Sequence, residues 1–334
     1  MQKKTLAKPR ILIISPALAK ANNGNWQTAA RWSRFLRDDY YVRCLASTEA
    51  THLLPQPDCV IALHARRSAA ALDHFHSTAP AIPRILVLTG TDLYRDIQTD
   101  AVAQHSLQIA SQLVVLQPAG LAELDAQLQQ KTSVIFQSAK MLKPAHRTPA
   151  ARHPFKVIMV GHLRAEKDPQ IFMQACIALR AQPISFTHIG SALDDSMAAH
   201  VAATAAATPH YHWLDNQPHA ATRQRLKQCD VMVISSLMEG GANVIIEAIT
   251  SGVPVLASDI AGNRGMLGDE YPGYFPVGDA EKLAALIQRA ANQPDYLASL
   301  QRHCDARQFL FSPQRERASV RMLVDNCIAQ RGAS

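Results

Sequence analysis

The chain lacks the long apolar run that a membrane-spanning helix needs. Of its 334 residues 48% are hydrophobic, but no uninterrupted apolar stretch reaches the length of about 18 residues that marks a transmembrane helix. The apolar stretch Ile11–Ile14, which follows a basic N-terminal segment, is too short for the core of a signal peptide. We therefore expect a soluble, cytoplasmic protein with no stable membrane association.

Paired cysteines and acidic metal-binding pairs are also missing. The six cysteines are scattered without a C-x-x-C pair, which favours reduced thiols that pack as small hydrophobes. The chain has no Asp-x-Asp pair to hold a metal ion between phosphates. From these absences we expect no cofactor and no metal ion.

The net charge of +7 is not accompanied by a nucleic-acid-binding signature. Lysines and arginines are spread along the chain rather than clustered, so we expect no nucleic-acid partner. An anionic small substrate and a solvated basic surface both explain the excess positive charge.

Short aliphatic or β-branched runs alternate with longer helical patterns, which predicts parallel sheets covered by helices on both faces. The strands predicted in the first half are Ile11–Ile14, Val42–Ala46, Cys59–Leu63, Ile85–Leu88, Leu113–Leu116 and Val134–Phe136. Those predicted in the second half are Phe155–Val160, Ile184–Ile189, Val231–Ile234 and Val253–Ala257, with a helix at Ser196–Thr208.

Chain length and the two series of strands predict an α/β protein with two Rossmann-like doubly wound lobes. A chain of 334 residues fits two domains of roughly 150 residues each. The segment Met141–Pro154 contains three prolines and no periodic pattern, as is typical of a linker. We place the lobes at residues 1–145 and 146–312, with a C-terminal helix at 313–334 whose return to the first lobe stays open. Ligands of such sheets bind beyond the carboxyl ends of the strands, so we expect the active site in a cleft between the lobes.

The loop after the strand Val231–Ile234 has the composition of a ligand-binding loop. Gly240 and Gly241 leave room for a ligand to approach backbone amides. Ala242 leads into a short helix with Asn243 as its predicted N-cap. An anion or a polyol suits this loop.

Glu239 and Glu247 flank these glycines. The apolar neighbours of Glu247 predict a helix that is buried nearly all round, and a buried carboxylate needs partners. Ribose hydroxyls would donate to Glu247, and Glu239 could accept from hydroxyls of a sugar ring. A carboxylate on the helix surface is the alternative for Glu247, and we favour the binding role.

A second polar loop follows the strand Phe155–Val160. In it, Arg164 as a planar fork and Lys167 as a point charge can clamp a diphosphate. Either residue alone is more often a solvated surface residue, and the position of both after a strand end favours binding.

The spacing E-x7-E with two glycines inside it, and the pattern G-x-L-x-x-E-K, resemble the large retaining glycosyltransferase family of the two-lobed GT-B type. This resemblance covers the second lobe and makes it the donor lobe. It implies that Glu247 holds the ribose, Glu239 the transferred sugar and Lys167 the diphosphate of the donor. Most members place an arginine where this chain has His162, and Arg164 stands two positions further on as its substitute. The expected donor-binding residues are Gly161, His162, Arg164, Lys167, Glu239, Gly240, Gly241, Ala242, Asn243 and Glu247, of which Arg164, Lys167 and Glu239 are the expected catalytic residues.

The strand ends of the first lobe carry polar and cationic residues. The loop Pro16–Asn25 contains a single glycine and is therefore no dinucleotide-binding loop, and a helix is predicted to open at Trp26 or Gln27. For His64, a satisfied and partly buried histidine is nearly as good an interpretation as a substrate contact. The candidate acceptor-binding residues are Asn22, Asn23, Gly24, Asn25, His64, Arg66, Thr89, Gly90, Thr91, Asp92 and Arg95.

The segments His64–Ser68, Thr89–Arg95, Gly161–Arg164 and Tyr271–Asp279 resemble a narrow branch of that family, the selenosugar synthases of selenoneine biosynthesis. The match runs from about Ile11 to Asp279. It implies transfer of a sugar from UDP-N-acetylglucosamine or UDP-glucose to the selenium of selenophosphate. Selenophosphate is a small anion with an ionised nucleophile, so it needs positioning and charge neutralisation more than a general base.

Two other classes of function stay open. A transferase with a hydroxyl acceptor, such as a lipid, would be supported if Asn25–Arg37 were a basic aromatic helix at a membrane surface, although packing on the sheet is the commoner explanation. A protein that binds a nucleotide-sugar without turnover, or an epimerase of the same two-lobed shape, is the other class.

Overall fold

A computed structural model of the chain describes residues 8–17, 24–47, 55–143 and 154–331. The chain divides into two compact units, the first ending at Gln137 and resuming at Pro313, and the second running from Ser138 to Ser312. This division lies a few residues before the predicted boundary at 145/146. One reason is that the backbone N–H of Leu142 donates to the carbonyl of Thr250, inside the second unit (2.9 Å).

Each unit is built around one six-stranded parallel sheet. The first sheet, in the order β2-β1-β3-β4-β5-β6, consists of β1 (Arg10–Ser15), β2 (Tyr41–Ala46), β3 (Cys59–Leu63), β4 (Arg84–Leu88), β5 (Gln112–Val115) and β6 (Thr132–Val134). The second, in the order β12-β11-β10-β7-β8-β9, consists of β7 (Phe155–Val160), β8 (Ile184–Ile189), β9 (Tyr211–Trp213), β10 (Val231–Ile234), β11 (Val255–Ser258) and β12 (Tyr274–Phe275).

Helices connect these strands. They are α1 (Gly24–Leu36), α2 (Ala69–Thr78), α3 (Ile97–Thr99), α4 (Ala101–Ile109), α5 (Ala126–Gln130), α6 (Pro169–Ala178), α7 (Asp195–Ala207), α8 (His219–Lys227), α9 (Asn243–Ile249), α10 (Ala261–Leu267), α11 (Ala280–Asn292), α12 (Pro294–Arg307) and α13 (Pro313–Arg331). Shorter turns are a π-helical turn at Asp92–Asp96 and 3₁₀ turns at Pro118–Glu123, Ala165–Lys167 and Gln308–Phe311.

The strand orders identify where each sheet binds ligands. Counted from its own first strand, the second sheet has the Rossmann order 3-2-1-4-5-6, and its order reverses between β7 and β10. The first sheet has the flavodoxin-like order 2-1-3-4-5 with β6 added at the edge, and it reverses between β1 and β3. The predicted fold class is confirmed. The loops after β7 and β10 lie at the switch point of the second sheet, where doubly wound sheets bind their ligands.

The ten predicted strands are all present, with small shifts at their ends. The structure places β6 at Thr132–Val134 instead of Val134–Phe136, and β11 at Val255–Ser258 instead of Val253–Ala257. The edge strands β9 and β12 are additional. Their three and two residues are too few to show a period of two.

The first sheet is buried on both faces, as a parallel sheet with helices on each side must be. Along β1, Ile11 and Ile13 pack in the core cluster that includes residues of α1 and α13. Leu12 and Ile14 pack in the opposite cluster, with residues of α2 and α4. This alternation explains why the strand is a continuous apolar run in the sequence.

Helix α1 packs its aromatic face inside the first unit. Trp32 is 1% exposed, its indole N–H donates to Glu316 of α13 (2.7 Å), and Arg31 forms an ion pair with the same carboxylate (2.8 Å). The helix begins at Gly24, earlier than predicted, and the carbonyl of Gly24 accepts from the Thr28 hydroxyl (2.9 Å). Trp26 and Phe35 also pack against this core, which agrees with packing on the sheet as the commoner explanation for these aromatic residues. In the part of the chain that the structure describes, no helix is long and apolar enough to cross a membrane.

His188 in β8 is a fully buried histidine of the second unit. Its Nδ1 lies 2.8 Å from the Tyr211 hydroxyl, and its Nε2 has no hydrogen-bond partner among the described residues. Burial lowers the pKa of His188 to about 4, because a charged imidazole would lose its hydration there. The side chain is therefore neutral at physiological pH.

Acid should destabilise the second unit through His188. Below pH 6.5 the unfolded chain binds a proton at this residue that the folded chain does not bind until about pH 4. The free energy of unfolding should therefore fall by roughly 2–3 kcal/mol between pH 7 and pH 4.5 on account of this group. Urea denaturation at both pH values tests this, with His188→Gln as the non-titrating variant. An equal pH dependence in the two proteins would contradict it.

Candidate active site

The loops after β7 and β10 lie side by side at the switch point of the second sheet. The backbone N–H of Leu237 donates to the carbonyl of Glu166 (2.9 Å). The Ser235 hydroxyl lies 3.0 Å from the Lys167 carbonyl and 2.8 Å from that of Asp168. The segment that carries Lys167 is thus fixed against the segment that carries Glu239.

The first of these loops is also held on its other side, by the loop after β8. Gly190 has a φ of +148°, and a Cβ at this position would lie 1.9 Å from the Gly161 carbonyl oxygen. Only glycine allows that approach. Gly161 in turn donates to the carbonyl of Ile189 (2.8 Å).

Glu239 and Lys167 form an ion pair at the centre of the site. Lys167 Nζ and the Ser236 hydroxyl, the latter at 2.6 Å, both donate to Oε1 of Glu239. The residue is 8% exposed, and its Oε2 accepts no hydrogen bond from the described residues. The protein therefore holds one oxygen of the carboxylate and leaves the other available to a ligand.

Small residues near the ends of β10 and β11 hold the backbone around Glu239 in place. The Ser258 hydroxyl donates to the Ser236 carbonyl (2.6 Å), and the amide of Asn263 donates to the carbonyl of Ser258 (2.9 Å). A Cβ on Gly262 would lie 1.9 Å from the Glu239 carbonyl oxygen, so glycine is required for α10 to pack here. The sequence analysis did not identify these residues. For Ser236 and Ser258 the available signal is that a small polar residue ends or closely follows a buried strand.

Glu247 lies in α9, 8% exposed, with Ile245 and Ile246 fully buried beside it. Its Oε1 is 2.7 Å from Nε2 of His219, a second residue that the sequence analysis missed. The predicted burial of this helix is confirmed. The predicted N-cap is wrong by one residue. Ala242 occupies the N-cap because its carbonyl accepts from Ile245 N (3.0 Å) and Ile246 N, and Asn243 is the first helical residue.

His162 is held as a neutral imidazole. Its Nδ1 accepts from the backbone N–H of Ser191 (3.2 Å), so its other ring nitrogen carries the proton. Burial, followed by the charges of Arg164 and Lys167, lowers the pKa of His162. A neutral His162 adds no positive charge, so the positive charge of this loop comes from Arg164 and Lys167.

The remaining predicted donor residues border this charge cluster. Arg164 is exposed, and its backbone carbonyl accepts from Lys167 N (3.0 Å) in the 3₁₀ turn Ala165–Lys167. Gly240 is buried and Gly241 half-buried, directly before Ala242. Two cations and two carboxylates thus occupy the two loops and the helix at one switch point.

In the first unit, Asp92 organises the loops after β3 and β4. Its carboxylate accepts from the backbone N–H groups of Ala65, Thr89 and Gly90, each at 2.9 Å. Its exposed fraction is 0%. Asp92 thus fixes the conformation of the two loops, because both of its carboxylate oxygens accept hydrogen bonds from backbone N–H groups.

His64 has partners for both ring nitrogens. Its Nδ1 accepts from Arg67 N (3.3 Å), and its Nε2 lies 3.1 Å from Thr91 Oγ1 and 3.8 Å from an oxygen of Asp96. Burial lowers the pKa of His64, against the opposing effect of Asp92. With a φ of 74° and 2% exposure, it matches the satisfied, buried histidine that was the alternative interpretation.

Arg66 and Arg95 are accessible cations of this region. Arg66 Nε lies 3.1 Å from Asp100, and Arg95 Nε lies 3.1 Å from Asp96. Their side chains are 56% and 48% exposed. An anion at this edge would share each arginine with a carboxylate. Of the other predicted contacts, Gly24 and Asn25 form the start of α1, while Asn22 and Asn23 lie outside the described residues.

Residues 145–307 match the family model of the glycosyl transferases group 1. The matched residues lie inside the second unit. Over 142 residues the chain is 27% identical to the GtfA subunit of a UDP-N-acetylglucosamine–peptide N-acetylglucosaminyltransferase from Streptococcus pneumoniae, covering 42% of this chain and 28% of that protein. The chain thus spans little more than a quarter of that relative's length.

Solved structures that share the fold over nearly the whole chain include the following two. A sucrose-phosphate synthase from Thermosynechococcus elongatus matches with a TM-score of 0.78 at 15% identity, covering 97% of this chain and 100% of that one. HepE from Anabaena, in complex with UDP-glucose, matches with a TM-score of 0.74 at 16% identity, covering 96% and 100%. These likenesses extend the fold assignment to both units.

All the predicted donor residues, from Gly161 to Glu247, fall inside the residues that match this family model. The structure brings Lys167 and Glu239 into contact and places Glu247 in the helix that follows the same loop. The predicted acceptor residues lie in the first unit, outside the matched residues. Their role stays a prediction.

Proposed function

We propose that the protein transfers a sugar from a UDP-sugar, bound at the switch point of the second sheet. The observation that carries this proposal is the arrangement of Glu239 and Glu247, each held by the protein through Oε1. Two relatives support the choice of donor. One is named as a transferase that uses UDP-N-acetylglucosamine, and the other was solved with UDP-glucose.

The proposed roles follow from the chemistry of each side chain. Glu247 accepts hydrogen bonds from the ribose hydroxyls, and Glu239 accepts one from the transferred sugar. Lys167 and Arg164 neutralise the diphosphate, whose charge grows as the bond to the sugar breaks. Lys167 has three N–H donors, so it can keep its contact with Glu239 while it binds a phosphate oxygen.

For the acceptor we propose selenophosphate, bound at the carboxyl edge of the first sheet. The resemblance of His64–Ser68 and Thr89–Arg95 to the selenosugar synthases supports this choice, and the half-exposed guanidinium groups of Arg66 and Arg95 suit a small anion. Selenium attacks the anomeric carbon and a carbon–selenium bond forms. The bond from that carbon to the phosphate oxygen breaks, and its electron pair leaves with UDP.

Product analysis tests this proposal. Purified protein is supplied with UDP-N-acetylglucosamine or UDP-glucose, and with selenophosphate or a range of alcohol and lipid acceptors. Mass spectrometry should find a sugar joined to selenium. Glycosylated alcohols without any carbon–selenium product would show a transferase to hydroxyl acceptors and refute the selenophosphate assignment.

Turnover should survive the removal of divalent cations. The cations Arg164 and Lys167 stand in the loop proposed to bind the diphosphate, so they can offset the charge that a metal ion neutralises in other transferases. Rates measured with and without EDTA should agree within about twofold. Strong inhibition by EDTA that magnesium or manganese reverses would contradict metal-independent transfer.

Replacing Arg66 or Arg95 by alanine should affect the acceptor alone. Each change removes a cation from the proposed anion site, so the KM for the acceptor should rise about fivefold or more, and the more steeply at low salt. UDP affinity should stay unchanged, because the proposed donor contacts lie in the other unit. Arg43, an exposed arginine in β2, provides the matched control. A rise in the KM for the UDP-sugar instead would contradict the acceptor assignment.

A further inference from the structure

The contact between His219 and Glu247 joins two helices of the second unit. Nε2 of His219, the first residue of α8, lies 2.7 Å from Oε1 of Glu247 in α9. A carboxylate can only accept, so this nitrogen carries the hydrogen and His219 is the donor. The other oxygen of Glu247 accepts no hydrogen bond in the part of the chain that the structure describes.

Arg223, one turn further along α8, fixes this helix against the end of α9. Its guanidinium donates to the hydroxyls of Thr250 and Ser251, each at 3.0 Å, and to the carbonyl of Lys140 at 2.7 Å. Arg223 is 6% exposed. Because α8 is anchored by a buried side chain, its first residue reaches Glu247 from a fixed position.

His219 and Glu247 differ in solvent exposure, and this difference indicates what their contact contributes. The side chain of His219 is 46% exposed and that of Glu247 is 11% exposed. A contact that is half open to solvent adds little to folding stability. It does restrict the rotamer of a mostly buried carboxylate, and a carboxylate held in one orientation binds a ligand at a smaller entropic cost.

We infer that His219 is a positioning residue for the nucleotide site, because it holds Glu247 through one carboxylate oxygen and leaves lone pairs of the carboxylate for the ribose hydroxyls. This inference rests on the donor site proposed above. A carboxylate has about four lone-pair positions, so the histidine and two ribose hydroxyls bind to it together without competing.

UDP binding to three variants tests the inference. His219→Leu removes the donor, His219→Gln keeps an N–H donor, and Gln224→Leu changes an exposed residue of the same helix. In calorimetry, His219→Leu should weaken UDP binding about tenfold, because the side chain of Glu247 must then be ordered when UDP binds. His219→Gln should recover most of the affinity, and Gln224→Leu should bind UDP as the unmodified protein does.

Kinetics and stability separate positioning from a structural role. In His219→Leu the KM for the UDP-sugar should rise in parallel with the UDP Kd, while kcat and Tm stay nearly unchanged. In a Glu247→Ala background, His219→Leu should have no further effect on UDP affinity, because the inferred effect of His219 on the nucleotide passes through that carboxylate.

Two results would overturn the inference and are distinguishable from each other. If Glu247→Ala weakens UDP binding but His219→Leu leaves it unchanged or strengthens it, His219 does not position Glu247 and the donor site still stands. If Glu247→Ala itself leaves UDP affinity unchanged, the donor-site assignment fails and the inference fails with it.

Discussion

Replacing Glu239 by glutamine is expected to lower kcat about 100- to 1000-fold and to change the UDP Kd by less than about threefold. Glutamine keeps the shape of the side chain but removes the charge that pairs with Lys167. The contact proposed for Glu239 is to the transferred sugar, on which charge develops during the reaction, so its loss should affect the transition state more than the ground state. Steady-state kinetics and UDP calorimetry on the same protein measure the two effects.

The control for Glu239→Gln is Glu270→Gln, which changes an exposed glutamate of the same unit. It should leave kcat and UDP affinity unaltered. The reverse pattern in Glu239→Gln, weakened UDP binding with normal kcat, would mean that Glu239 contacts the nucleotide and not the reacting sugar. The proposed roles of the two glutamates would then have to be exchanged.

Replacing Glu247 by alanine is expected to weaken UDP binding by roughly 1–3 kcal/mol, about 5- to 150-fold in Kd. Glu247 is 8% exposed, so the proposed hydrogen bonds to ribose would form away from bulk water and be charge-assisted. The effect should appear in KM for the UDP-sugar, while kcat at saturating donor changes less.

Calorimetry with UDP measures the Glu247 effect directly. Glu281→Ala, at an exposed position in the first turn of α11, is the matched control. Unchanged UDP affinity in a Glu247→Ala protein that retains the Tm of the unmodified chain would refute the ribose assignment.

The fold could be predicted because parallel strands covered on both faces are continuous apolar runs. Segments such as Cys59–Leu63 and Phe155–Val160 agree with the structure residue for residue. The edge strands β9 and β12 could not be predicted, because they are short and their formation depends on pairing with β8 and β11. The N-cap of α9 is Ala242 and not the predicted Asn243 for a similar reason. Backbone hydrogen bonds in the packed loop determine where this helix begins.

The candidate site could be predicted only as far as its residues lie in motifs. Glu239, Glu247 and Lys167 were identifiable by spacing, yet the ion pair of Lys167 with Glu239 depends on how two distant loops meet. Ser236 and His219 belong to no motif, and their contacts appear only when the strands are ordered in space. For Asp92 the sequence suggested a contact that the structure does not favour. Its position in a polar segment indicated a ligand contact, but its carboxylate oxygens accept hydrogen bonds from three backbone amides.

The measurement that tests the central claim most directly is the release of UDP from a UDP-sugar, followed with and without an acceptor. A transferase with its donor site at Glu239 and Glu247 should release UDP at an appreciable rate only when the acceptor is present. One sugar-bearing product should form for each UDP released, and Glu239→Gln should slow the formation of both about 100- to 1000-fold. Tight binding of the UDP-sugar with no release under any acceptor condition, or interconversion of the sugar without release, would contradict this account and indicate a binding protein or an epimerase.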